Sequence, residues 1–558
     1  MEAFQLSNHF HFPWPVNHTS LSPDGKLLVV VGDNPDGMLV NAQTGKALAA
    51  KQQEWRSAMS TEFNALIQAG TWQLVPYSPS MNVLPNKWVF RIKRKPDGSV
   101  ERYKARLVAK CFRQQEGVDY GETFSPVIKH SSIRLILAIA VSFGWTIRQL
   151  DVQNAFLHGY LSEDVYMQQP QGFIDPQFPT HVCKLQRSLY GLKQAPRAWF
   201  SCFSTYLEDL GFTASQVDTS LFVYHSGNIK LYLLIYVDDI LVTGTHADHI
   251  TTLITNLSKL FSMKDLGPLH YFLGIEAVRS SHGLALTQTK YTLDLLHRTN
   301  MTDAKPVSTP AATGKRLSLT DGTPLHDGSQ YRSVVGALQY LTLTRPDISF
   351  AVNQVCQFLH SPTNVHWVAV KRILRYLKHT PTYGLFYTPS NFKLTGYSDS
   401  DYAGDPDTRI STGGTCIYLG TNLISWSSKK QSGVSRSSTE AEYRQLAYTA
   451  AHVSWFRTLF RDLCIPLQSP TLWCDNISAI SLASNPVFHT RTRHVEVDYH
   501  YIREKVVRKE IQVAYVCSQD QLADIFTKGL SSYRFHYLLP KLPVRARPIS
   551  LRGGGGGG

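Results

Sequence analysis

Two short apolar runs, Leu231-Tyr232-Leu233-Leu234-Ile235 and Ile240-Leu241-Val242, enclose Tyr236-Val237-Asp238-Asp239. They are too short for helices and rich in β-branched and aromatic residues, which predicts two strands of a tight hairpin with the acidic pair at its tip. Residues 55–66 carry apolar positions at helical spacing, and Thr71-Trp72-Gln73-Leu74-Val75-Pro76 reads as a strand. Lys87-Trp88-Val89-Phe90-Arg91-Ile92-Lys93 and Arg102-Tyr103-Lys104-Ala105-Arg106-Leu107-Val108-Ala109 flank Pro96-Asp97-Gly98, a strong hairpin turn. Residues 133–141 are helix-like and lead towards the apolar segment that ends at Asp151. Further on, Leu394-Thr395-Gly396-Tyr397 and Thr471-Leu472-Trp473-Cys474 read as strands, and a long helix starts at Ser437-Ser438-Thr439-Glu440. Near the N-terminus, short strands alternate with turn signals over residues 19–46.

Adjacent aspartates between buried strands repel each other and resist desolvation, and a divalent cation held by oxygen ligands relieves both penalties. An Asp-Asp pair in a turn is more often simply solvated. The balance changes with Gln149-Leu150-Asp151-Val152-Gln153-Asn154-Ala155-Phe156, where another aspartate leaves an apolar segment. Three carboxylates from two strands suit two metal ions about 3.5–4 Å apart, the arrangement for in-line phosphoryl displacement. The logic repeats beyond residue 394: Asp399 follows one strand, Asp475 ends another, Glu442 lies near the start of the long helix, and Asp524 sits in Gln521-Leu522-Ala523-Asp524-Ile525-Phe526. Each alone is most simply a surface acid, but four beside apolar core sequence fit a second two-metal phosphodiesterase site.

At 558 residues the chain has length for three or four domains. A formal charge of +14 points to a polyanionic partner once a site for one exists. Eight cysteines without a C-x-x-C pair argue against a zinc module or disulfide scaffold and fit a reducing compartment. The longest apolar stretch, 135–141, is far below a membrane span, and the N-terminus lacks a signal-peptide pattern; a soluble, intracellular protein is expected.

The segments around Asp151 and Tyr236-Val237-Asp238-Asp239 resemble the two carboxylate motifs of reverse transcriptases of copia-type LTR retrotransposons, and Ser188-Leu189-Tyr190-Gly191-Leu192-Lys193-Gln194-Ala195-Pro196-Arg197-Ala198-Trp199 is near-diagnostic of that family. Ser398-Asp399-Ser400-Asp401-Tyr402-Ala403-Gly404, Ser438-Thr439-Glu440-Ala441-Glu442-Tyr443 and Ala523-Asp524-Ile525-Phe526-Thr527-Lys528 resemble its ribonuclease H portion. The resemblance spans residues 52–552 and implies an α+β fold: a right-hand polymerase (fingers, palm, thumb), a connecting region and an α/β ribonuclease H-like domain. It implies fingers and palm over 51–260, thumb and linker over 261–330, the connecting region over 331–392, the nuclease over 393–530 and a tail over 531–558. Asp151, Asp238 and Asp239 would hold Mg²⁺ for strand synthesis, and Asp399, Glu442, Asp475 and Asp524 would hold it for RNA cleavage, two ions per site with Mn²⁺ as the alternative.

The implied partners are an RNA template, a DNA primer, dNTPs and an RNA–DNA hybrid. Lys104, Arg106 and Lys110 are candidates for nucleotide and template contacts, Phe156 for stacking under the sugar, and Gly191 and Gln194 for close approach to a base. From the residues alone, Phe156 is equally a core aromatic and the basic hairpin a solvated ribbon. Glu440, Asp401 and His494 are secondary candidates, His494 for product release or proton handling. Cys111 stands where the family has glycine, which would strain the hairpin if that position needs positive φ, and Tyr402 stands where it generally has tryptophan. Residues 8–48 are similar to part of one WD-repeat blade, expected to be a poorly packed appendage. No aspartic-protease D-[ST]-G or zinc knuckle occurs, which fits a polyprotein fragment. The alternative is an inactive, nucleic-acid-binding relic; a propeller-type interaction protein is disfavoured by too few repeat units.

Overall fold

The computed structural model describes residues 53–94, 99–314, 316–484 and 496–547, and as backbone strands Val16–Leu21, Leu27–Gly32, Met38–Asn41 and Ala47–Ala49. The N-terminal strands form a four-stranded antiparallel meander. The chain divides into two compact units, and the backbone passes between them several times.

The first unit holds residues 1–126, 152–211 and 259–262. Its four-stranded sheet runs in the order Trp72–Val75, Val182–Arg187, Tyr160–Met167, Val83–Leu84. Strands β1 (Asn86–Arg94) and β2 (Val100–Ala109) make a separate antiparallel ribbon, as the turn signal between the two segments predicts. The helix Gln53–Gln68 lies on this ribbon through Trp55, which meets Phe90 and Tyr103 edge-on with ring centroids 5.0 and 4.6 Å away. Leu66, Leu84, Leu107, Val165, Met167 and Leu185 fill the unit's core.

The second unit holds residues 127–151, 212–258 and 263–558. The apolar helix α1 (His130–Ser142) precedes β3 (Ile147–Val152), and the two expected apolar runs form β5 (Ile229–Tyr236) and β6 (Asp239–Gly244), preceded by β4 (Leu221–Ser226). Their six-stranded sheet runs Thr213–Ala214, β4, β5, β6, β3, Met263–Pro268. A third sheet contains β7 (Leu394–Ser400), β8 (Thr412–Leu419) and β9 (Asn422–Lys430), covered by the long helix α2 (Ser438–Asp462), and then β10 (Thr471–Cys474) and β11 (Gln512–Tyr515). Its order is β9-β8-β7-β10-β11; β7, β8 and β9 pair antiparallel, whereas β7, β10 and β11 pair parallel, a mixed sheet that fits the α/β domain expected of this stretch.

These units depart from the expected boundaries. Residues 51–260 are shared between both units. One five-stranded sheet joins Tyr271–Phe272, Ile275–Ser280 and Gly283–Thr287 to Tyr383–Tyr387 and Val544–Ala546, thereby drawing on the expected thumb, connecting region and tail together. Within the expected tail, the helix Ser532–Leu538 buries Phe535 and Leu538, and the strand Val544–Ala546 pairs with Tyr383–Tyr387.

Candidate active sites

Strand register assembles the first acidic group. Asp239 opens β6 directly opposite Asp151 of β3, and it also pairs with Tyr236 across the hairpin tip. Only Val237 and Asp238 remain in the loop. Val237 has φ +57°, in the left-handed region that favours glycine. Burial first, then the charges of Asp238 and Asp151, raise the Asp239 carboxyl to about 6. A cation at the tip would reverse that penalty.

The second group converges from four elements. Asp399 is buried near the end of β7, accepts a hydrogen bond from the Thr527 hydroxyl and lies 3.5 Å from Lys528 Nζ. Asp524 pairs with Lys528 at 2.7 Å and Arg534 at 3.2 Å. Asp475, just beyond β10, accepts from Ser518 at 2.9 Å and Gln521 at 3.5 Å. Glu442 projects from the first turns of α2, and its ligating oxygen, the Cys474 sulfur and an Asp475 oxygen all lie within 4.8 Å of one another. Its Oε2 is buried without a hydrogen-bond partner.

Burial, opposed by Lys528 and reinforced by Asp524, raises Asp399 to about 7. Burial and then the charges of Asp399 and Asp475 raise Glu442 to about 10. Burial alone would depress Lys528, but Asp399 and Asp524 hold its ammonium above the ordinary range. Such mutual destabilisation, with one oxygen left unpaired, is what hard cations with oxygen ligands relieve. Sequence reasoning assigned no role to Lys528, Arg534 or Cys474; for Lys528 the signal was its i+4 spacing from Asp524.

Two of the secondary candidates are held in ion pairs. Glu440 binds Arg444 at 2.7 Å and accepts from the Arg436 N–H at 2.9 Å, an ion-paired first turn of α2. Asp401 is buried against Arg316 and the Thr412 N–H. His494 lies outside the described residues. Tyr402 is exposed and donates to Arg436 O at 3.3 Å.

The first unit gathers the nucleotide and template candidates on its basic ribbon. The Arg106 guanidinium lies 4.6 Å over the Tyr190 ring, whose edge-on neighbour at 4.8 Å is Phe156. Burial, then Arg106 and Arg102, lower the Lys104 ammonium, while Glu62 opposes them. Lys110 follows β2, its N–H bonded to Pro85 O at 2.8 Å.

The surroundings of Gly191, Gln194 and Cys111 are defined by packing within the unit. Gly191 has φ +92°, and a Cβ there would lie 2.2 Å from Ala109 O, so the position requires glycine for its close approach to β2. Gln194 is buried; its amide donates to Asp119 O at 2.8 Å and accepts from Gln114 at 2.9 Å, bridging the 114–119 loop. Cys111 opens the 3-10 turn Cys111–Arg113 with negative φ, so the strain expected of a non-glycine residue is absent.

A family model described as "Reverse transcriptase (RNA-dependent DNA polymerase)" matches residues 69–313. The chain is 53% identical over 505 residues to the retrovirus-related Pol polyprotein from transposon RE1 of Arabidopsis thaliana, covering 90% of this chain and 34% of that protein. It is 35% identical over 308 residues to the putative transposon Ty5-1 protein of Saccharomyces cerevisiae, covering 54% of this chain and all of the yeast protein. A ribonuclease H1 isolated from compost overlaps 24% of this chain and 93% of its own, at 17% identity and a TM-score of 0.20. The propeller-blade resemblance of residues 8–48 has no support from these comparisons.

A reverse-transcriptase domain followed by a mixed α/β sheet with a converging acidic group is the class these features define. The chain belongs to the copia-type retrotransposon Pol family. It spans about a third of the length of the Arabidopsis polyprotein. No described helix is long and apolar enough to cross a membrane.

Proposed function

We propose that the chain is an RNA-directed DNA polymerase with an attached ribonuclease H, arranged as fingers, palm, thumb and nuclease. The observation that carries this reading is the register that sets Asp239 opposite Asp151 beside Asp238, with Asp239 raised to about 6 by burial and then by the charges of Asp238 and Asp151. Asp151, Asp238 and Asp239 are the residues that would hold Mg²⁺ in the palm; Asp399, Glu442, Asp475 and Asp524 would hold it in the nuclease. When bound, the ions supply Lewis-acid stabilisation of charge on the reacting phosphate oxygens. The basic ribbon around Lys104, Arg106 and Lys110 draws the triphosphate and template in by charge. In the nuclease, Lys528 and Arg534 orient Asp399 and Asp524, and the substrate class is RNA paired to DNA, read through its 2′-hydroxyls. The relic alternative loses one of its grounds with the unstrained Cys111.

Primer extension on poly(rA)/oligo(dT) with Mg²⁺ tests the polymerase. Asp238→Asn should lose at least about a hundredfold in incorporation, since it removes a charge that acts in the transition state. Equal incorporation by wild type and variant would remove the polymerase assignment. For the nuclease, a labelled RNA–DNA hybrid should be cut by the wild type and spared by Asp475→Asn; cutting that persists shows the wrong acids were chosen.

A further inference from the structure

Segment 309–323, rich in Pro, Thr and Gly, reads in sequence as a linker, yet it is pinned along the nuclease. Thr309 accepts from Arg372 at 2.7 Å. The Ala312 carbonyl lies so close to Gly529 that a Cβ there would sit 2.4 Å from it. The Asp407 carboxylate accepts from the Ser318 hydroxyl and, at 2.8 Å, from the Leu319 N–H, while Ser318 O lies 3.0 Å from His366 Nε2. Between these anchors Arg316 reaches Asp401, 85 positions along the chain.

Asp401 holds the junction between β7 and β8. Its carboxylate accepts from the Thr412 N–H, and its own N–H donates to Thr412 O at 3.1 Å, closing the loop that begins two residues after Asp399. The carboxylate is buried, and its facing charges are Arg316 and Lys528. A Cβ at Gly404 would overlap the Arg316 guanidinium at 1.5 Å and Asp401 Oδ2 at 1.9 Å, so the pair requires glycine there. Without Arg316, Asp401 would be a further buried acid beside Asp399, competing for Lys528, the ammonium that pairs Asp399 and Asp524.

We propose that Arg316 is a positioning residue of the nuclease: by neutralising Asp401 it fixes the β7–β8 junction that aims Asp399 and leaves Lys528 to the metal-binding acids. The linker thereby forms part of the nuclease wall. This rests on the ribonuclease H reading of Asp399, Glu442, Asp475 and Asp524.

The test uses the full chain and a labelled RNA–DNA hybrid, with primer extension as the control. Arg316→Gln should lower kcat for hybrid cleavage about tenfold, leave KM for the hybrid within about twofold, and retain primer extension. Arg316→Lys should recover most of the loss, and Arg316→Gln with Asp401→Asn should cut faster than Arg316→Gln alone, because the buried charge that needed a partner is gone. The proposal is overturned by an unchanged kcat, by a change confined to KM, by a double variant no better than the single, or by both activities falling together. A wild type that cuts no hybrid overturns the nuclease reading itself and the proposal with it; a wild type that cuts, with Asp475→Asn dead and Arg316→Gln normal, sinks the proposal alone.

Discussion

The Asp239 carboxyl, held at about 6 against an ordinary 3.8, couples stability to pH. Its folded value lies above its unfolded one, so the stability it contributes is complete below about pH 4 and is lost as pH rises through 6. The group is partly exposed, and solvent screening reduces the effect to on the order of 1 kcal/mol. In EDTA, Asp239→Asn should therefore be more stable than the wild type at pH 7.5 and no more stable at pH 4, as thermal denaturation at the two pH values will measure. Mg²⁺ should raise the wild-type Tm at pH 7.5 by more than it raises that of Asp239→Asn. Equal responses would mean that Asp239 is not a ligand. The identities of the acids were legible in sequence because each adjoins an apolar run, whereas their mutual proximity was not: Asp239 meets Asp151 only through the pairing of β6 with a strand from another part of the chain. The packing of Gln194 and Gly191 was hidden for the same reason, since Asp119, Gln114 and Ala109 are distant in sequence.

At the scale of elements, the β5–β6 hairpin was readable from its two apolar runs, but its turn was not, because the glycine or asparagine that marks such turns is missing. Val237 instead occupies the left-handed region, where a β-branched side chain costs roughly 1–3 kcal/mol. That strain fixes Asp238 between two paired residues, Tyr236 and Asp239. Val237→Gly should relieve it and leave Tm equal or higher, while the looser loop lowers primer-extension kcat severalfold with little change in KM for dNTP. A variant that loses both stability and activity would show that Val237 acts through packing instead of backbone strain. The helix α2 shows the same mixture of legible and hidden features. Its start was evident from Ser437, which caps it by accepting from the Glu440 N–H at 3.1 Å, but only the fold shows Glu440 bound to Arg444 and Glu442 facing Asp475.

At the scale of the molecule, the sheet that carries Asp151 and the β7–β11 sheet belong to one unit with a continuous core, a fact that contiguous domain boundaries in the sequence could not display. Leu221, Tyr232 and Leu234 of that sheet share the core with Phe456 and Leu459 of α2 and with Leu463 just beyond it. Tyr232 donates its hydroxyl to Leu463 O at 2.8 Å from full burial, Lys230 reaches Cys464 O at 2.7 Å, and Ser215 reaches Asp462 at 2.8 Å. On α1, the Arg134 guanidinium stacks 3.8 Å over Trp426 of β9. Because these contacts seat the end of α2 on the carboxylate sheet, loosening one of them should weaken both centres at once. Tyr232→Phe keeps the ring but leaves the Leu463 carbonyl without its side-chain donor, at a cost of about 1 kcal/mol. Its Tm should fall by roughly 1–3 °C, and residual primer extension and hybrid cleavage, assayed after stepwise heating, should decline along a single curve displaced from that of the wild type. Two separate curves, with cleavage outlasting extension or the reverse, would show that the two folds come apart independently despite the shared core.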